Sequence, residues 1–415
     1  MTSSIFAVSK PSSVGAAYCV IFSGVVAALQ IGKLPPALPE LSQTLGLSLM
    51  QAGFLLSLVQ LAGMTLALAV GLSADGLGLK RSMLAGLFVL GLASALGATA
   101  ESAQALMVWR AIEGVGFLWV TLPAPALIRR MVAPGHLRSV LGYWGAYMPL
   151  GTALTLLAGP LWIPAWGWRS WWELFACLSM GMALLLWRVV PHETPSSSAP
   201  GADSAAAAPW PQRLHETLTA PGPWWVALAF AMYSGQWLAV VGFLPSIYTQ
   251  AGLSGALLGA LTALAAAVNM LGNMASGKCL QKGISAALLL AVGYAAMAIG
   301  SFAAFGPWTE SSAEWRYAGV LLFSCVGGLV PGTLFSLAVR LAPHERNVST
   351  TVGWMQQGSA AGQFSGPPVV AWLASQTGNW HWTWMATGSC SLMGIVLSVL
   401  IARTLKRTSG QNSMP

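Results

Sequence analysis

The sequence predicts an all-α membrane protein in which twelve transmembrane helices form two pseudo-symmetric six-helix bundles. Three observations predict this class. Of the 415 residues, 56% are hydrophobic and 7% are charged, whereas soluble domains carry about 25% charged residues. Apolar segments long enough to cross a hydrocarbon core of about 30 Å recur along the chain. The segments of the two halves also match each other in order.

Each predicted span is about 20 residues long, because an α-helix rises 1.5 Å per residue. A β-barrel is not expected, since apolar and polar residues do not alternate along segments such as 286–299. The predicted spans, one to twelve, are residues 14–36, 50–72, 82–100, 104–127, 139–162, 171–190, 224–248, 254–276, 284–305, 316–339, 347–374 and 381–403.

The basic residues orient these spans. With both termini in the cytoplasm, all but four of the 19 bases fall in cytoplasmic connections or tails, as the positive-inside rule requires. The four exceptions are Lys33, Arg110, Arg169 and Arg316. Trp171 and Trp172, near the predicted outer end of span six, are interpreted as part of an aromatic belt at the headgroups. The predicted location is the inner membrane.

Composition divides the chain into four parts. Residues 191–223 are rich in proline, serine and alanine, which predicts a flexible cytoplasmic linker. The linker separates an N-terminal six-helix bundle at 1–190 from a C-terminal six-helix bundle at 224–405. Residues 406–415 are predicted to form a cytoplasmic tail.

Matches at nearly constant offset relate the two halves. The stretch 32–35 parallels 242–245, and further pairs follow in order. These pairs are Gly71 with Gly277, Gly116 with Gly327, Arg129 with Arg340, and Gly167 with Gly378. A duplicated six-span unit predicts a solute cavity between two bundles, which is the arrangement that supports alternating access.

Two motifs are longer than single matches. Residues 71–81, between spans two and three, read Gly-Leu-Ser-Ala-Asp-Gly-Leu-Gly-Leu-Lys-Arg, and residues 110–116 in span four read Arg-Ala-Ile-Glu-Gly-Val-Gly. With them, the chain resembles the major facilitator superfamily over essentially its whole length. Within that superfamily, residues 32–36, Gly-Lys-Leu-Pro-Pro, resemble the branch of cyanate permeases and nitroimidazole transporters.

The resemblance implies that the connection between spans two and three is a conformational latch. This role falls on Gly71, Asp75, Gly78 and Arg81. Two bases usual in the family motif are replaced here by Gly76 and Leu79, which puts the strength of the latch in doubt. The alternative is a solvated loop that only orients the protein.

Ionisable side chains inside a membrane are costly and are therefore functional candidates. The predicted spans contain Lys33, Arg110 and Glu113. Gln30 and Lys33 share one stripe of span one, and Arg110 and Glu113 share one face of span four. Spans one and four run in opposite directions. Lys33, near the end of span one, and Arg110 are therefore expected at similar depth in the outer half.

Two cations and one carboxylate predict a cavity of net positive charge, which favours an anion. The repeat-equivalent positions hold the uncharged residues Phe243, Leu321 and Ser324. Because the charge belongs to one half, substrate contact is favoured. The alternative is that Arg110 neutralises Glu113 while Lys33 reaches the outer headgroups. In a proton-coupled transporter, Glu113 is the expected proton site.

Four further side chains are candidate substrate contacts. They are Gln236 and Trp237 in span seven, and Gln356 and Gln357 in span eleven. Their amide and indole groups offer hydrogen bonds and a stacking ring to a solute. The alternative is that they join helices within the bundle.

The predicted function is secondary active transport of a small organic or pseudohalide anion by rocker-switch alternating access. One alternative is a proton-driven efflux antiporter for drugs or metabolites, and another is a membrane sensor without transport. An enzyme is not expected, because the spans lack a nucleophile set, a metal set and paired carboxylates. The expected partners are the solute, membrane lipid and, with coupling, protons. A monomer without cofactor, metal or nucleic acid is expected.

Overall fold

The computed structural model describes residues 14–68, 78–191 and 209–411, and the regular elements in these ranges are all helices. Ten of the described helices are long and apolar enough to cross a membrane. They are Gly15–Thr44, Leu49–Leu68, Leu79–Ala98, Ala103–Met131, Tyr147–Val189, Pro221–Gln250, Gly255–Gln281, Ala286–Phe305, Ala313–Arg340 and Thr383–Lys406.

Two features turn these ten helices into twelve spans. Tyr147–Val189 has 43 residues, and Gly167 interrupts it with φ 77° and ψ 162°, so it supplies spans five and six. Val348–Thr377 is a further helix of 30 residues, and its glycines, serines and glutamines lower its hydropathy. It is span eleven. The predicted all-α membrane fold is confirmed.

Most spans of the N-terminal half and two of the C-terminal half consist of shorter helices joined at a break. The component helices are Val14–Gly32 and Leu34–Thr44 in span one, Leu49–Leu58 and 61–68 in span two, Ala103–Thr121 and Ala124–Met131 in span four, Pro134–Gly145 before Tyr147 in span five, Gly255–Ala267 and Asn269–Gln281 in span eight, and Ala313–Gly327 and Leu329–Arg340 in span ten. Three short helices, Trp210–Thr219, Pro307–Thr309 and Glu345–Asn347, lie between spans, and the helix of span twelve is Thr383–Gln411.

Span one continues beyond its predicted end at residue 36. Leu34, Leu38 and Leu41 are all buried, so the apolar face extends through the helix Leu34–Thr44 despite its prolines. Lys33 therefore lies between two helices of the span, and its predicted position near the span end was wrong.

The predicted flexible linker at 191–223 contains regular structure in its second part. Trp210–Thr219 is a helix, and span seven begins at Pro221. The Asn347 Nδ2 atom donates to the Arg213 carbonyl oxygen at 2.9 Å and so fastens this helix to the connection before span eleven. Residues 192–208 lie outside the described residues. Span twelve continues to Gln411 and includes much of the predicted tail at 406–415.

Small residues set which spans pair inside each half. A Cβ atom at Gly362 of span eleven would lie 2.2 Å from the Ala231 carbonyl oxygen of span seven, and one at Gly151 of span five would lie 2.5 Å from the Ala28 Cβ of span one. The stripe on span eleven consists of Gly358, Gly362 and Gly366. Such stripes let helix backbones approach closely in a membrane.

The two halves share a hydrophobic core at the end of the molecule where Leu34–Thr44 lies. Leu38 and Leu55 of spans one and two pack there with Phe243 and Ala371 of spans seven and eleven. Gly53 of span two allows this approach, since a Cβ at Gly53 would lie 2.9 Å from the Ala371 Cβ. We call this end the far end. Successive spans run in opposite directions, so it lies opposite the end at which the linker joins the two halves.

Candidate functional site

Three charged side chains form one network in the core of the N-terminal half. The Lys33 Nζ atom lies 2.6 Å from Glu113 Oε1, and the Arg110 Nη1 atom lies 2.5 Å from Glu113 Oε2. All three side chains have no solvent-exposed surface. The structure therefore brings the predicted trio together around a single carboxylate.

The Lys33 ammonium has its hydrogen-bonding capacity filled. It donates to Gln30 Oε1 at 2.6 Å, to Ser94 Oγ at 2.7 Å and to Glu113 Oε1. It also lies 4.8 Å from the centre of the Trp172 ring, a cation–π distance. An ammonium has three N–H groups, so Lys33 has no donor left for a solute in this conformation.

Arg110 is placed between the ends of two broken helices. Its Nη1 donates to the Gln30 carbonyl oxygen at 2.7 Å, and its Nε donates to the Leu55 carbonyl oxygen at 3.4 Å. Gln30 and Leu55 lie in the last turns of Val14–Gly32 and Leu49–Leu58, where unpaired carbonyls attract a cation. The Arg110 Nη2 atom is buried and has no hydrogen-bond partner among the described residues.

Glycines on span four explain how Arg110 reaches this position. A Cβ at Gly114 would lie 2.4 Å from the Val59 carbonyl oxygen of span two, and one at Gly116 would lie 2.8 Å from the Gly86 carbonyl oxygen of span three. The glycines of the 110–116 motif thus bring span four against spans two and three at once. This close packing excludes lipid from the Arg110 guanidinium.

Spans three and six complete the site with residues that the sequence analysis did not select. Ser94 donates to the Trp172 carbonyl oxygen at 2.8 Å, and Gln30 Nε2 donates to Ser179 Oγ at 2.9 Å. Trp171 Nε1 donates to the Lys33 carbonyl oxygen at 3.0 Å. A serine in an apolar run and a tryptophan near a span end are too common to single these residues out.

Two sequence interpretations around this site were wrong. Trp171 and Trp172 are 1% and 0% exposed, so they pack inside the bundle instead of forming an aromatic belt. The alternative in which Lys33 reaches the outer headgroups is also wrong, because Lys33 is fully buried. The pairing of Arg110 with Glu113 in that same alternative is present. Both interpretations failed for the same reason: span one extends beyond Lys33, so Lys33, Trp171 and Trp172 lie deep in the bundle.

The predicted contacts in span seven join helices of the C-terminal half. Gln236 Oε1 accepts a hydrogen bond from Ser391 Oγ of span twelve at 3.0 Å. Trp237 Nε1 donates to Ser324 Oγ of span ten at 3.2 Å. Ser324 is the repeat equivalent of Glu113, so a neutral bond occupies the level that the ion pairs occupy in the other half.

The predicted contacts in span eleven, Gln356 and Gln357, are partly exposed. The Gln357 Oε1 atom is buried without a hydrogen-bond partner among the described residues. Within the described ranges, no hydrogen bond or ion pair joins the four candidates of the C-terminal half to the charged network.

A family model described as the Major Facilitator Superfamily matches residues 20–354. The chain belongs to the major facilitator superfamily. Two solved structures share its fold over nearly the whole chain. A bacterial homologue of the human lysosomal transporter Spinster, inward-facing and occupied, gives a TM-score of 0.75 at 16% identity over 95% of this chain and 98% of that one. A D-xylose–proton symporter gives 0.71 at 15% identity over 94% and 97%.

Sequence relatives match over shorter regions. Puromycin resistance protein pur8 of Streptomyces alboniger is 33% identical over 159 residues, or 38% of this chain and 31% of that protein. A multidrug resistance protein B homolog of Mycobacterium tuberculosis is 31% identical over 145 residues, or 33% of this chain and 26% of that protein. The matched regions thus cover less than a third of each relative. The resemblance of residues 32–36 to cyanate permeases stays a prediction.

The predicted superfamily latch is only partly within the described residues. Gly71 and Asp75 lie outside them. Gly78 has φ 84° and precedes the helix of span three, where a side chain would be strained, and Arg81 is exposed. Lys80, which was not selected as a latch residue, is buried and donates to the carbonyl oxygens of Trp187 and Val190 at the end of span six.

Proposed function

We propose that this superfamily member is a secondary transporter that moves a small organic or pseudohalide anion together with a proton. The observation that carries the proposal is the buried network of Lys33, Glu113 and Arg110. In this network the Arg110 Nη2 atom has no hydrogen-bond partner among the described residues. Arg110 is the proposed anion contact, because the N–H groups of Lys33 are all bound. Gln236, Trp237, Gln356 and Gln357 stay predicted contacts of the other half.

Charge balance supports the coupling. With Glu113 ionised, two cations and one carboxylate give the network a charge of +1. Protonation of Glu113 raises the charge to +2 in a low-dielectric core, where unbalanced charge is costly. A bound anion restores the charge to +1. Proton and anion therefore each favour the binding of the other, and this reciprocity is what a symporter requires.

The packing of the two halves supports alternating access. The far end is closed by the shared core that includes Leu38 and Phe243, so we propose that the outer end is the closed end in this conformation. This orientation takes both termini as cytoplasmic, as the distribution of basic residues indicates. We further propose that the protein lies in the inner membrane and acts as a monomer. Gly71, Asp75, Gly78 and Arg81 are the proposed latch at the cytoplasmic end.

Uptake into proteoliposomes tests the proposal. Radiolabelled cyanate and small carboxylates are offered with and without an inward proton gradient. We expect the gradient to drive accumulation in the wild-type protein. In Glu113→Gln, which imitates the protonated carboxyl, we expect anion exchange to persist while accumulation no longer follows the gradient.

Glu40→Gln is the matched control. Glu40 is a carboxylate of the same half, in span one, but its Oε1 accepts a hydrogen bond from the Trp168 backbone N–H and it is outside the charged network. It should keep the response to the gradient. Wild-type uptake that is independent of the proton gradient would contradict proton coupling through Glu113. Gradient-driven accumulation in the Glu113→Gln variant would contradict it as well.

Export of drug-like molecules is a second candidate, and the names of the puromycin and multidrug resistance relatives favour it. Dye and puromycin efflux from the same vesicles separates the two. If a proton gradient drives efflux and no tested anion is accumulated, the exporter is supported and the anion proposal fails.

A further inference from the structure

A cavity of about 490 Å³ opens at the ends of spans eight, ten and twelve that lie opposite the far end. None of the three residues of the charged network lines it. The residues that carry its chemistry are Arg340 at the end of span ten and Lys406 near the end of span twelve, with Ser285 immediately before span nine.

Two cations face this cavity without a counter-charge. Arg340 and Lys406 are exposed, and neither makes an ion pair or side-chain hydrogen bond among the described residues. Among the residues that the structure describes, those that line the cavity include no carboxylate. Arg346 differs, since its guanidinium is paired with Glu216 at 2.6 Å.

The rest of the cavity is apolar. Leu280, Ile284 and Leu405 line it, together with Ala286, Ala287 and Ala402. Because the cations lie at the ends of spans, we expect them at the level of the headgroups, with the apolar side chains nearer to the hydrocarbon. A free inorganic anion would use the cations but not this apolar wall.

We propose that this cavity binds the phosphodiester headgroup of an anionic membrane phospholipid. Arg340 and Lys406 contact the phosphate, and Leu280, Ile284 and Leu405 contact the glycerol and the first part of the acyl chains. Basic pockets between transmembrane helices at a membrane surface suit such headgroups. The site is separate from the anion proposed for transport and does not depend on it.

Thermal stabilisation of the purified full-length protein in detergent tests the site. Phosphatidylglycerol, phosphatidylcholine and inorganic phosphate are added separately, and native mass spectrometry counts bound lipid. We expect phosphatidylglycerol to bind and raise the melting temperature, since a ligand of the folded state stabilises it. In the double variant Arg340→Gln/Lys406→Gln its affinity should fall on the order of tenfold.

Arg403→Gln is the matched control. It removes one base from the same helix as Lys406, is exposed, and does not line the cavity, so phosphatidylglycerol should bind it as it binds the wild-type protein. All three changed side chains are exposed, so we expect each variant to fold, and size-exclusion chromatography checks this. Equal binding to the double variant, equal binding of phosphatidylcholine, or equal stabilisation by inorganic phosphate would overturn the proposal.

Discussion

At the scale of single residues, the stability of the charged network depends on its balance of charge. Glu113 is the carboxylate partner of both Lys33 and Arg110. Glu113→Gln leaves two buried cations, and removing one partner of a buried ion pair costs about 3–5 kcal/mol. We expect a clear fall in the melting temperature of the variant in detergent.

Lys33→Met/Glu113→Gln provides the test of this explanation. It restores the network to the wild-type charge of +1, because one cation and one carboxylate are removed together. We expect its melting temperature to lie above that of Glu113→Gln, although it carries one more substitution. A double variant less stable than the single variant would show that charge balance does not govern this core.

The sequence was sufficient for part of this site. Arg110 and Glu113 are three residues apart on one helix, and Lys33 lies at a similar level on an opposite-running span, so helix geometry alone brought them together. Ser94 and Ser179 could not be predicted, because small polar residues in apolar spans have no pattern of their own. The position of Lys33 was misjudged because span one was predicted to end at residue 36, whereas its second helix continues to Thr44.

At the scale of the helix, the glycine stripe of span eleven holds that span against span seven. Gly362→Ala places a methyl group 2.2 Å from the Ala231 carbonyl oxygen, and overpacking of this kind costs about 1–3 kcal/mol. We expect a lower melting temperature for the variant. Gly388→Ala in span twelve is the control, since a Cβ there meets nothing within 4 Å. If both variants melt alike, the close contact at Gly362 does not contribute to stability.

The linker helix Trp210–Thr219 is expected to stay docked over the physiological pH range. Hydrogen bonds from Arg346 hold the pKa of Glu216 at about 2, below its ordinary 4.5. A lowered carboxyl pKa stabilises the docked helix above pH 4.5, and this contribution is lost only as the pH falls toward 2. Tryptic cleavage after Arg213 should therefore proceed at the same rate at pH 6 and pH 8, once corrected for trypsin activity.

Glu216→Gln should accelerate cleavage after Arg213, because it removes the charged partner of Arg346. Cleavage after Lys282, an exposed residue in the connection between spans eight and nine, is the internal reference and should not change. Unchanged cleavage after Arg213 in the variant would show that the ion pair does not hold the helix.

At the scale of the whole molecule, the two halves share an architecture but differ in the chemistry of their cores. Ion pairs fill the core of the N-terminal half, whereas Trp237 and Ser324 form a neutral hydrogen bond at the equivalent level of the other half. The sequence repeat predicted both the duplicated fold and this asymmetry. It could not predict which end of the molecule is closed, because closure at either end would bury a similar apolar surface.

The closed far end gives a test of alternating access. Gly53→Leu inserts a side chain where a Cβ alone would lie 2.9 Å from the Ala371 Cβ, so it should favour the conformation in which the far end opens. A strain of about 1.4 kcal/mol shifts such a population tenfold. The reporter is Ala239→Cys in a protein with its five native cysteines replaced, because Ala239 is 0% exposed in the shared core. We expect a membrane-impermeant maleimide to label this cysteine faster with Gly53→Leu than with Gly181→Leu, whose Cβ position is open. A reporter equally protected in both variants would mean that the core at the far end does not open.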